Sequence, residues 1–152
     1  MIVYRLSQSL YANDLTGEGA RLFGARWNHK GTACLYTAAS RALAVLEYTV
    51  NVNITSIPRA LSMVTIEIPD VNHNNLAIAA LPGNWTEAPA PVSTKDFGTA
   101  LLTAAANPVI RIPSTVIPEE FNYLLNPLHA DSRHNRIVDI SDFVYDVRIK
   151  TM

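Results

Sequence analysis

The chain has 152 residues, of which 49% are hydrophobic and 16% charged, and its formal net charge is −1. Length and composition predict a single globular domain, spanning residues 1–152, with a continuous core. The nearly neutral charge argues against direct nucleic-acid binding, because domains that bind nucleic acid usually carry a strong basic excess. The low charge content also favours some exposed apolar surface, and hence a partner protein.

Cellular location and redox chemistry are the next properties that the sequence constrains. It contains no apolar run of the ~18–20 residues that a membrane-spanning helix needs, and its N-terminus lacks a signal-peptide pattern. We therefore expect a cytoplasmic protein with no membrane attachment. The single cysteine excludes an intramolecular disulfide and any zinc site made of several cysteines. This residue, Cys34, lies in an apolar segment, so we predict a buried, unreactive thiol.

The first part of the chain is predicted to contain two strands and a helix. Residues 2–6 are rich in β-branched and aromatic side chains, which predicts a strand. Residues 10–24 lack periodicity and contain several turn residues, which predicts a loop. A turn around Arg26 then leads to a strand over 32–37. Ser40 is a suitable N-cap for the helix that follows. The apolar face of this helix is predicted to consist of Ala42, Leu43, Leu46 and Val50.

The second part of the chain adds further strands and one helix. Residues 62–68 alternate between the two faces of a strand. Residues 72–75 read as a turn, and 82–91 as an ordered loop. A helix is predicted over 95–106, capped by Ser93 or Thr94. Further strands are predicted over 109–112, 137–140 and 143–150. Strands outnumber helices without regular βαβ alternation, so the fold class is predicted to be α+β.

Three residues on consecutive predicted elements can converge at one end of a strand. They are Arg26 in the turn, Tyr36 in the strand and Glu47 in the helix. Arg26 is either a surface arginine or a planar fork for a pyrophosphate, with Trp27 packed beneath it. Tyr36 is either a core residue or a ring for stacking. Glu47 falls at the edge of the buried helix face, so it is either a surface acid or a carboxylate aimed into a cleft.

Two other kinds of site are less well supported. His129, Asp131 and His134 can each bind zinc, but their spacing fits neither a helical two-histidine site nor a zinc finger, so no metal site is predicted. Ser114 or Ser132 could belong to a Ser-His-Asp hydrolase, but the Gly-x-Ser-x-Gly motif is missing. Ser114 follows a proline in an extended segment, where it either caps a turn or binds a ligand hydroxyl.

Several sequence blocks occur in an order that is more specific than any one of them. They are Gly24-Ala-Arg-Trp-Asn-His-Lys-Gly31, Leu35-Tyr36, Ala42-Leu-Ala-Val-Leu-Glu47, Arg111-Ile-Pro-Ser114 and Asn122-Tyr-Leu-Leu-Asn-Pro-Leu-His129. Together they resemble the RES domain family, which is named for an Arg, a Glu and a Ser, and the resemblance covers nearly the whole chain. One departure is Ala25, where the family often has a second glycine. Alanine tolerates positive φ less well, so we expect a slightly different turn.

The resemblance implies both a fold and a function. Members of this family are toxins of Res–Xre type II toxin–antitoxin pairs that consume NAD. Their fold is similar to that of diphtheria-toxin-like ADP-ribosyltransferases, which implies mixed, largely antiparallel sheets with flanking helices. The implied function is NAD degradation by cleavage of the nicotinamide–ribose bond, as a glycohydrolase or phosphorylase. The alternatives are protein ADP-ribosylation at the same site and a catalytically silent, partner-binding domain.

The resemblance also implies ligands and partners. NAD would be the substrate, with no prosthetic group, and an Xre-type helix-turn-helix antitoxin would cover the active site. The implied catalytic residues are Glu47, Arg26 and Tyr36. The implied substrate-binding residues are Arg26, Tyr36, Ser114, Trp27 and Asn28.

Each matched residue has an implied role. Glu47 would stabilise the positive charge that develops on the ribose. Arg26 would neutralise the pyrophosphate or a phosphate acceptor, and Tyr36 would stack on nicotinamide. Ser114 would bond to the nicotinamide amide or the ribose, with Ser132 as the alternative serine. The acceptor remains open between water, phosphate and a protein side chain.

Overall fold

The computed structural model describes residues 1–150, and the strands in that range form one seven-stranded sheet. The strands are β1 (Ile2–Gln8), β2 (Leu35–Ala38), β3 (Leu61–Glu67), β4 (His73–Asn75), β5 (Val109–Pro113), β6 (Phe121–Leu125) and β7 (Arg136–Phe143). Their order across the sheet is β4-β5-β6-β2-β1-β3-β7. Neighbouring strands are antiparallel except for the parallel pair β4 and β5. The predicted α+β class and largely antiparallel sheet are therefore confirmed.

Helices pack beside this sheet. They are α1 (Glu18–Phe23), α2 (Arg41–Asn51) and α3 (Val92–Ala104), and short 3₁₀ turns lie in several of the connections. The predicted N-cap of α2 is confirmed, because the Ser40 hydroxyl accepts a hydrogen bond from the Leu43 amide at 3.1 Å. Within residues 1–150, none of the helices has the length and apolarity needed to cross a membrane.

Helix boundaries differ from the sequence predictions in two places. The predicted loop over 10–24 contains α1, which begins after Gly17 (φ +71°) and ends at Gly24 (φ +68°). Its six residues are too few to show a helical period. The predicted cap of α3 at Ser93 or Thr94 is wrong, because the helix already begins at Val92. The Thr94 hydroxyl instead donates back to a carbonyl of the preceding segment.

Several strand predictions also needed correction. The predicted strand over 143–150 is wrong, because β7 ends at Phe143 and residues 147–149 form a 3₁₀ turn. The segment 72–75, predicted to be a turn, includes the short strand β4, which depends on pairing with β5. Strand β6 was not predicted, although it lies between β5 and β2.

Side chains alternate between the two faces of the sheet and divide the core. One face is covered by a cluster that includes Val3, Val64, Ile66, Val109 and Leu125. The other face carries two separate clusters. The cluster beside α3 includes Trp27, Leu102, Ile110, Ile112 and Leu124. The cluster beside α2 includes Leu6, Ala38, Leu43, Leu61 and Met63. The central strands β2 and β6 therefore carry a gap between the two helix-covered clusters.

Candidate active site

A cleft of 810 Å³ opens over this gap in the sheet. Its floor includes two cross-strand pairs, Tyr36 with Leu124 and Ala38 with Asn122. Its walls come from β1, α2, the turn at Gly24, and the segment that leads into α3. The charged residues that line it are Arg5, Arg26, Lys95 and Glu47. The cleft therefore carries more positive than negative groups, although the chain as a whole has a formal charge of −1.

The guanidinium of Arg26 is fixed by backbone carbonyls. Its Nη1 donates to the carbonyl oxygen of Trp85 at 3.0 Å and to that of Glu87 at 2.7 Å. Within residues 1–150, its Nε and Nη2 groups make no hydrogen bond. Burial lowers the pKa of Arg26, and the nearby Glu47 carboxylate opposes that shift. An arginine remains charged under these conditions, so a residue lining the cleft keeps two donor groups that the described protein does not use.

The turn before Arg26 uses only one residue with positive φ. Gly24 has φ +68°, whereas Ala25 is not in the left-handed region. The amide of Ala25 donates to the carbonyl of Asn28 at 3.1 Å and closes the turn. An alanine therefore fits at this position without backbone strain.

Glu47 points into the cleft because of its position on α2. It lies one helical turn after Leu43 and Ala44, which are both buried against the sheet. The apolar face predicted for this helix is therefore partly wrong: Leu43 is buried, but Ala42 is exposed and Val50 is 54% exposed. The buried face is rotated toward Ala44 and Glu47, so the surface alternative for Glu47 does not hold.

Among residues 1–150, hydrogen-bond donors contact one oxygen of the Glu47 carboxylate. Oε1 accepts a hydrogen bond from the Ser114 hydroxyl at 2.7 Å and from Asn122 Nδ2 at 2.6 Å. Within the part of the chain that the structure describes, Oε2 has no donor. The two donors fix the direction of the carboxylate and leave the second oxygen for a ligand.

Ser114 contacts Glu47, whereas Ser132 does not. Ser114 is fully buried, and its hydroxyl accepts the amides of Val116 and Ile117 at 3.0 and 3.2 Å while donating to Glu47. The Ser132 hydroxyl donates to the carbonyl of Asn126 at 2.5 Å. All hydrogen bonds of the Ser114 hydroxyl are thus satisfied by the protein, which suits a residue that positions Glu47.

Asn122 is a site residue that the sequence reasoning did not identify. Its Nδ2 contacts Glu47, and its buried Oδ1 has no hydrogen-bond partner within residues 1–150. The amide orientation is fixed, because the opposite one would place an oxygen against the carboxylate. The residue opens the Asn122–His129 block. Had β6 been predicted, strand alternation would have placed Asn122 on the same face as Leu124.

The hydroxyl of Tyr36 connects the floor of the cleft to the Arg26 turn. It donates to Asn28 Oδ1 at 2.7 Å and accepts the amide of Trp27 at 3.0 Å. Burial raises the pKa of Tyr36 well above its ordinary value. Because the hydroxyl is occupied and remains protonated, the ring is the part of Tyr36 that a ligand can contact.

Trp27 and Asn28 mainly support the turn. Asn28 is fully buried, and its Nδ2 donates to three backbone carbonyls, those of Ala20, His29 and Thr32. Trp27 lines the cleft, but its side chain packs at the edge of Phe97, with ring centroids 6.1 Å apart. Both residues hold Arg26 and Tyr36 in place. Direct substrate binding by them remains a prediction.

Arg5 and Lys95 also line the cleft and were not predicted from the sequence. Arg5 pairs with Val64, so its side chain points to the opposite face of the sheet, and only Lys95 of these two adds a charge to the cleft. Arg5 Nη1 donates to the carbonyl of Asp14 at 3.0 Å, and burial lowers the pKa of Arg5. Lys95 is half-buried in the first turn of α3. Their strand and helix positions gave no functional signal in the sequence, since a single basic residue on either element is usually a solvated side chain.

The other candidate residues lie elsewhere. Cys34 is buried, and burial raises the pKa of its thiol, so the predicted burial is confirmed and its low reactivity stays a prediction. His129 Nδ1 accepts the amide of Asp131 at 3.1 Å in a 3₁₀ turn. Within residues 1–150, no group of three side chains is arranged to hold a metal ion.

Comparison with known proteins supports the family resemblance that the sequence blocks indicate. The model of the RES domain matches residues 2–146. A protein named Toxin Res from Yersinia enterocolitica is 39% identical, over 99% of this chain and 100% of its own length. The Prs ADP-ribosylating toxin from a Sphingobium species is 36% identical, over 91% of this chain and 88% of its own.

A solved structure shows the same fold. It is the MbcT–MbcA toxin–antitoxin complex of M. tuberculosis, in which a chain matches 93% of this one with a TM-score of 0.71. The match covers 83% of that chain at 17% sequence identity.

Proposed function

This chain belongs to the RES domain family, and on that premise we propose that it is the toxin of a toxin–antitoxin pair and cleaves the nicotinamide–ribose bond of NAD. The observation that carries the proposal is the Glu47 carboxylate, anchored through Oε1 with Oε2 free, inside a cleft rich in cations. This arrangement suits a substrate that combines an anionic pyrophosphate with a cationic leaving group.

The reaction requires stabilisation of a positively charged sugar. The bond between nicotinamide and the ribose C1′ breaks, and its electron pair goes to nicotinamide, which leaves as a neutral molecule without a general acid. Positive charge develops on the ribose, as in glycoside hydrolysis. The free Oε2 of Glu47 stabilises this charge and accepts a hydrogen bond from a ribose hydroxyl. Ser114 and Asn122 prevent the carboxylate from turning away.

Arg26 and Tyr36 bind the rest of the substrate in this proposal. The free Nε and Nη2 donors of Arg26 match the geometry of phosphate oxygens. The Tyr36 ring, held by its hydroxyl against the turn, offers a face for nicotinamide. A nucleophilic atom of the acceptor then forms a bond to C1′, and a neutral acceptor releases its proton to solvent.

Water, inorganic phosphate or a protein side chain would complete the reaction. Transfer to a protein is the second candidate, and the relative from Sphingobium, named Prs ADP-ribosylating toxin, favours it. NAD labelled in its adenylate half distinguishes a protein acceptor from a small-molecule acceptor. Incubation with lysate gives a labelled protein for transfer, and a labelled small molecule for hydrolysis or phosphorolysis.

We also propose that an antitoxin covers this cleft and that it is of the Xre helix-turn-helix type. The structural neighbour is part of a toxin–antitoxin complex. Coexpression with the product of the adjacent gene tests this. A covering antitoxin should abolish NAD cleavage, whereas an antitoxin that binds elsewhere should leave the purified complex active.

The decisive test is NAD cleavage by the purified chain without its antitoxin, measured as free nicotinamide. We expect Glu47→Gln to reduce the rate by about 10²–10³-fold, as for removal of one electrostatic stabiliser. The control is Glu119→Gln, which makes the same change at an exposed position outside the cleft. Full activity of a folded Glu47→Gln protein would contradict the role of Glu47, and no activity of the wild-type chain would contradict the proposed reaction.

A further inference from the structure

Lys95 is a cation of the cleft whose charge the protein itself does not use. Arg26 and Arg5 both donate to backbone carbonyls. Lys95 lines the same cleft and is half-buried, and its ammonium group makes no hydrogen bond or ion pair within residues 1–150. Its neighbour Asp96 does not neutralise it, because that carboxylate is largely exposed and accepts from His29 at 2.6 Å.

The packing of α3 brings Lys95 to the same wall of the cleft as Arg26. Gly98 lies so close to the Arg26 turn that a Cβ atom there would be 2.0 Å from the carbonyl oxygen of Trp27. Lys95 precedes Gly98 by one helical turn and is therefore on the same face of α3. The segment that leads into this helix supplies the Glu87 carbonyl that binds Arg26. Turn, segment and helix form one continuous wall.

An unpaired ammonium in a partly desolvated cleft attracts anions. Its partial loss of hydration is compensated when an anion binds, and lysine is a common phosphate ligand that acts as a point charge. The pyrophosphate of a dinucleotide carries two negative charges. A single guanidinium, with Nη1 already used by two carbonyls, leaves one of these charges without a protein partner.

We propose that Lys95 and Arg26 together bind the pyrophosphate of the substrate, an assignment that rests on the proposed function. Arg26 binds one phosphate through its free donors, and Lys95 binds the other. The nicotinamide end of the substrate lies against Tyr36 and Glu47, and the pyrophosphate lies along the wall beside α3. Lys95 is thus a determinant of affinity for phosphate-bearing substrates and takes no part in bond cleavage.

The test compares ligands with and without phosphate. ADP-ribose contains the pyrophosphate, and nicotinamide riboside contains none. We expect Lys95→Met to weaken ADP-ribose binding about tenfold or more, as for loss of a hydrogen bond to a charged group. Inhibition of NAD cleavage by nicotinamide riboside should be unchanged. Lys95→Arg should retain most of the affinity for ADP-ribose.

Titration calorimetry with the full chain measures the dissociation constant for ADP-ribose, and competition assays measure the inhibition constant of the riboside.

Lys30→Met is the matched control. It removes the same charge from an exposed lysine that does not line the cleft, so both constants should stay at their wild-type values. In steady-state kinetics, Lys95→Met should raise KM for NAD and leave kcat nearly unchanged.

Two outcomes would overturn the assignment. One is unchanged ADP-ribose affinity in Lys95→Met. The other is an equal loss of affinity for ADP-ribose and nicotinamide riboside, which would indicate a general distortion of the cleft. Failure of the proposed function looks different: the wild-type chain would not release nicotinamide, while ADP-ribose binding would still report on Lys95.

Discussion

The carboxylate of Glu47 is oriented by two donors from a distant part of the chain. Ser114 and Asn122 flank the connection between β5 and β6, and both donate to the same oxygen. The family name draws attention to the serine, but in this structure the asparagine makes an equally short contact. The site is thus an acid with two positioning residues, and either of them can be tested separately from the acid.

Asn122→Ala should impair the chemical step more than binding. The carboxylate then retains only the Ser114 donor and can rotate, so we expect kcat for NAD cleavage to fall about 10–100-fold with little change in KM. Asn122→Asp should be worse, because a second carboxylate would face Glu47. Steady-state kinetics checks both variants. An increase in KM at unchanged kcat would instead indicate that Asn122 contacts the substrate.

Arg26→Lys tests whether the planar fork is needed. A lysine cannot bond to the carbonyls of Trp85 and Glu87 and also present two further donors to a phosphate. We expect kcat/KM for NAD to fall by about 10–100-fold, mainly through KM. The control is Arg59→Lys, at an exposed position outside the cleft. Wild-type kinetics for Arg26→Lys would show that charge alone is sufficient.

The hydroxyl of Tyr36 and the thiol of Cys34 make stability sensitive to alkaline pH. Burial raises the pKa of both groups, so the folded chain keeps protons that the unfolded chain releases above about pH 8.5 for the thiol and about pH 10 for the phenol. In that range the unfolded state binds fewer protons, and the free energy of unfolding therefore falls as pH rises. This contribution is fully present below about pH 8.5.

Urea unfolding from pH 7 to pH 11 measures the effect. Tyr36→Phe and Cys34→Ala should each make the alkaline decline less steep, and the double variant should flatten it further. Tyr48, whose pKa burial also raises, leaves a residual slope. An equally steep decline in the double variant would contradict the assignment of these two groups.

At the scale of elements, long or strongly patterned segments were predictable and short ones were not. Strand β3 alternates clearly, and helix α2 has both a cap and an apolar arc. Helix α1 is short and contains Gly19, a weak helix former, and the polar β4 is a strand only because β5 pairs with it. Their conformations depend on tertiary contacts, which local sequence does not encode.

The contact between α3 and the Arg26 turn leads to a prediction at this scale. In Gly98→Ala the new methyl group would meet the Trp27 backbone, so the helix must move away from the turn. We expect a loss of stability of at least ~1–3 kcal/mol, as for overpacking, together with reduced NAD cleavage. Gly19→Ala is the control, because nothing lies within 4 Å of its Cβ position and the helix should gain up to ~1 kcal/mol. Thermal unfolding checks both, and equal melting temperatures would contradict this.

The cleft exists because the core on one face of the sheet is divided between α2 and α3. The separation leaves Tyr36 and Asn122 uncovered on neighbouring strands. Arg26, Tyr36, Glu47 and Ser114 were identified from the sequence because family blocks surround them. Lys95 was not, since its relevance arises only from the packing of α3 against the turn, and Asn122 was not because its strand was missed.

Charge is also distributed unevenly over the molecule. The formal charge of −1 gives no sign of the cationic cleft, in which the side chains of Arg26 and Lys95 outnumber the one acid, Glu47. Added salt should therefore weaken NAD binding, seen as a rise in KM between low and physiological ionic strength. Measuring KM across this range checks the prediction, and a KM independent of salt would contradict it.

The hydrogen bonds from Arg26 to the backbone carbonyls of Trp85 and Glu87 affect how the sequence of this protein can change during evolution. Carbonyl oxygens are present whatever the side chain, so exposed positions of the segment 82–91 can accumulate substitutions without loss of this contact. Insertions or deletions in this segment would break the contact, because they would shift both carbonyl acceptors away from the guanidinium. Among homologues, the exposed positions of this segment should therefore vary freely in composition, and its length should hardly vary at all.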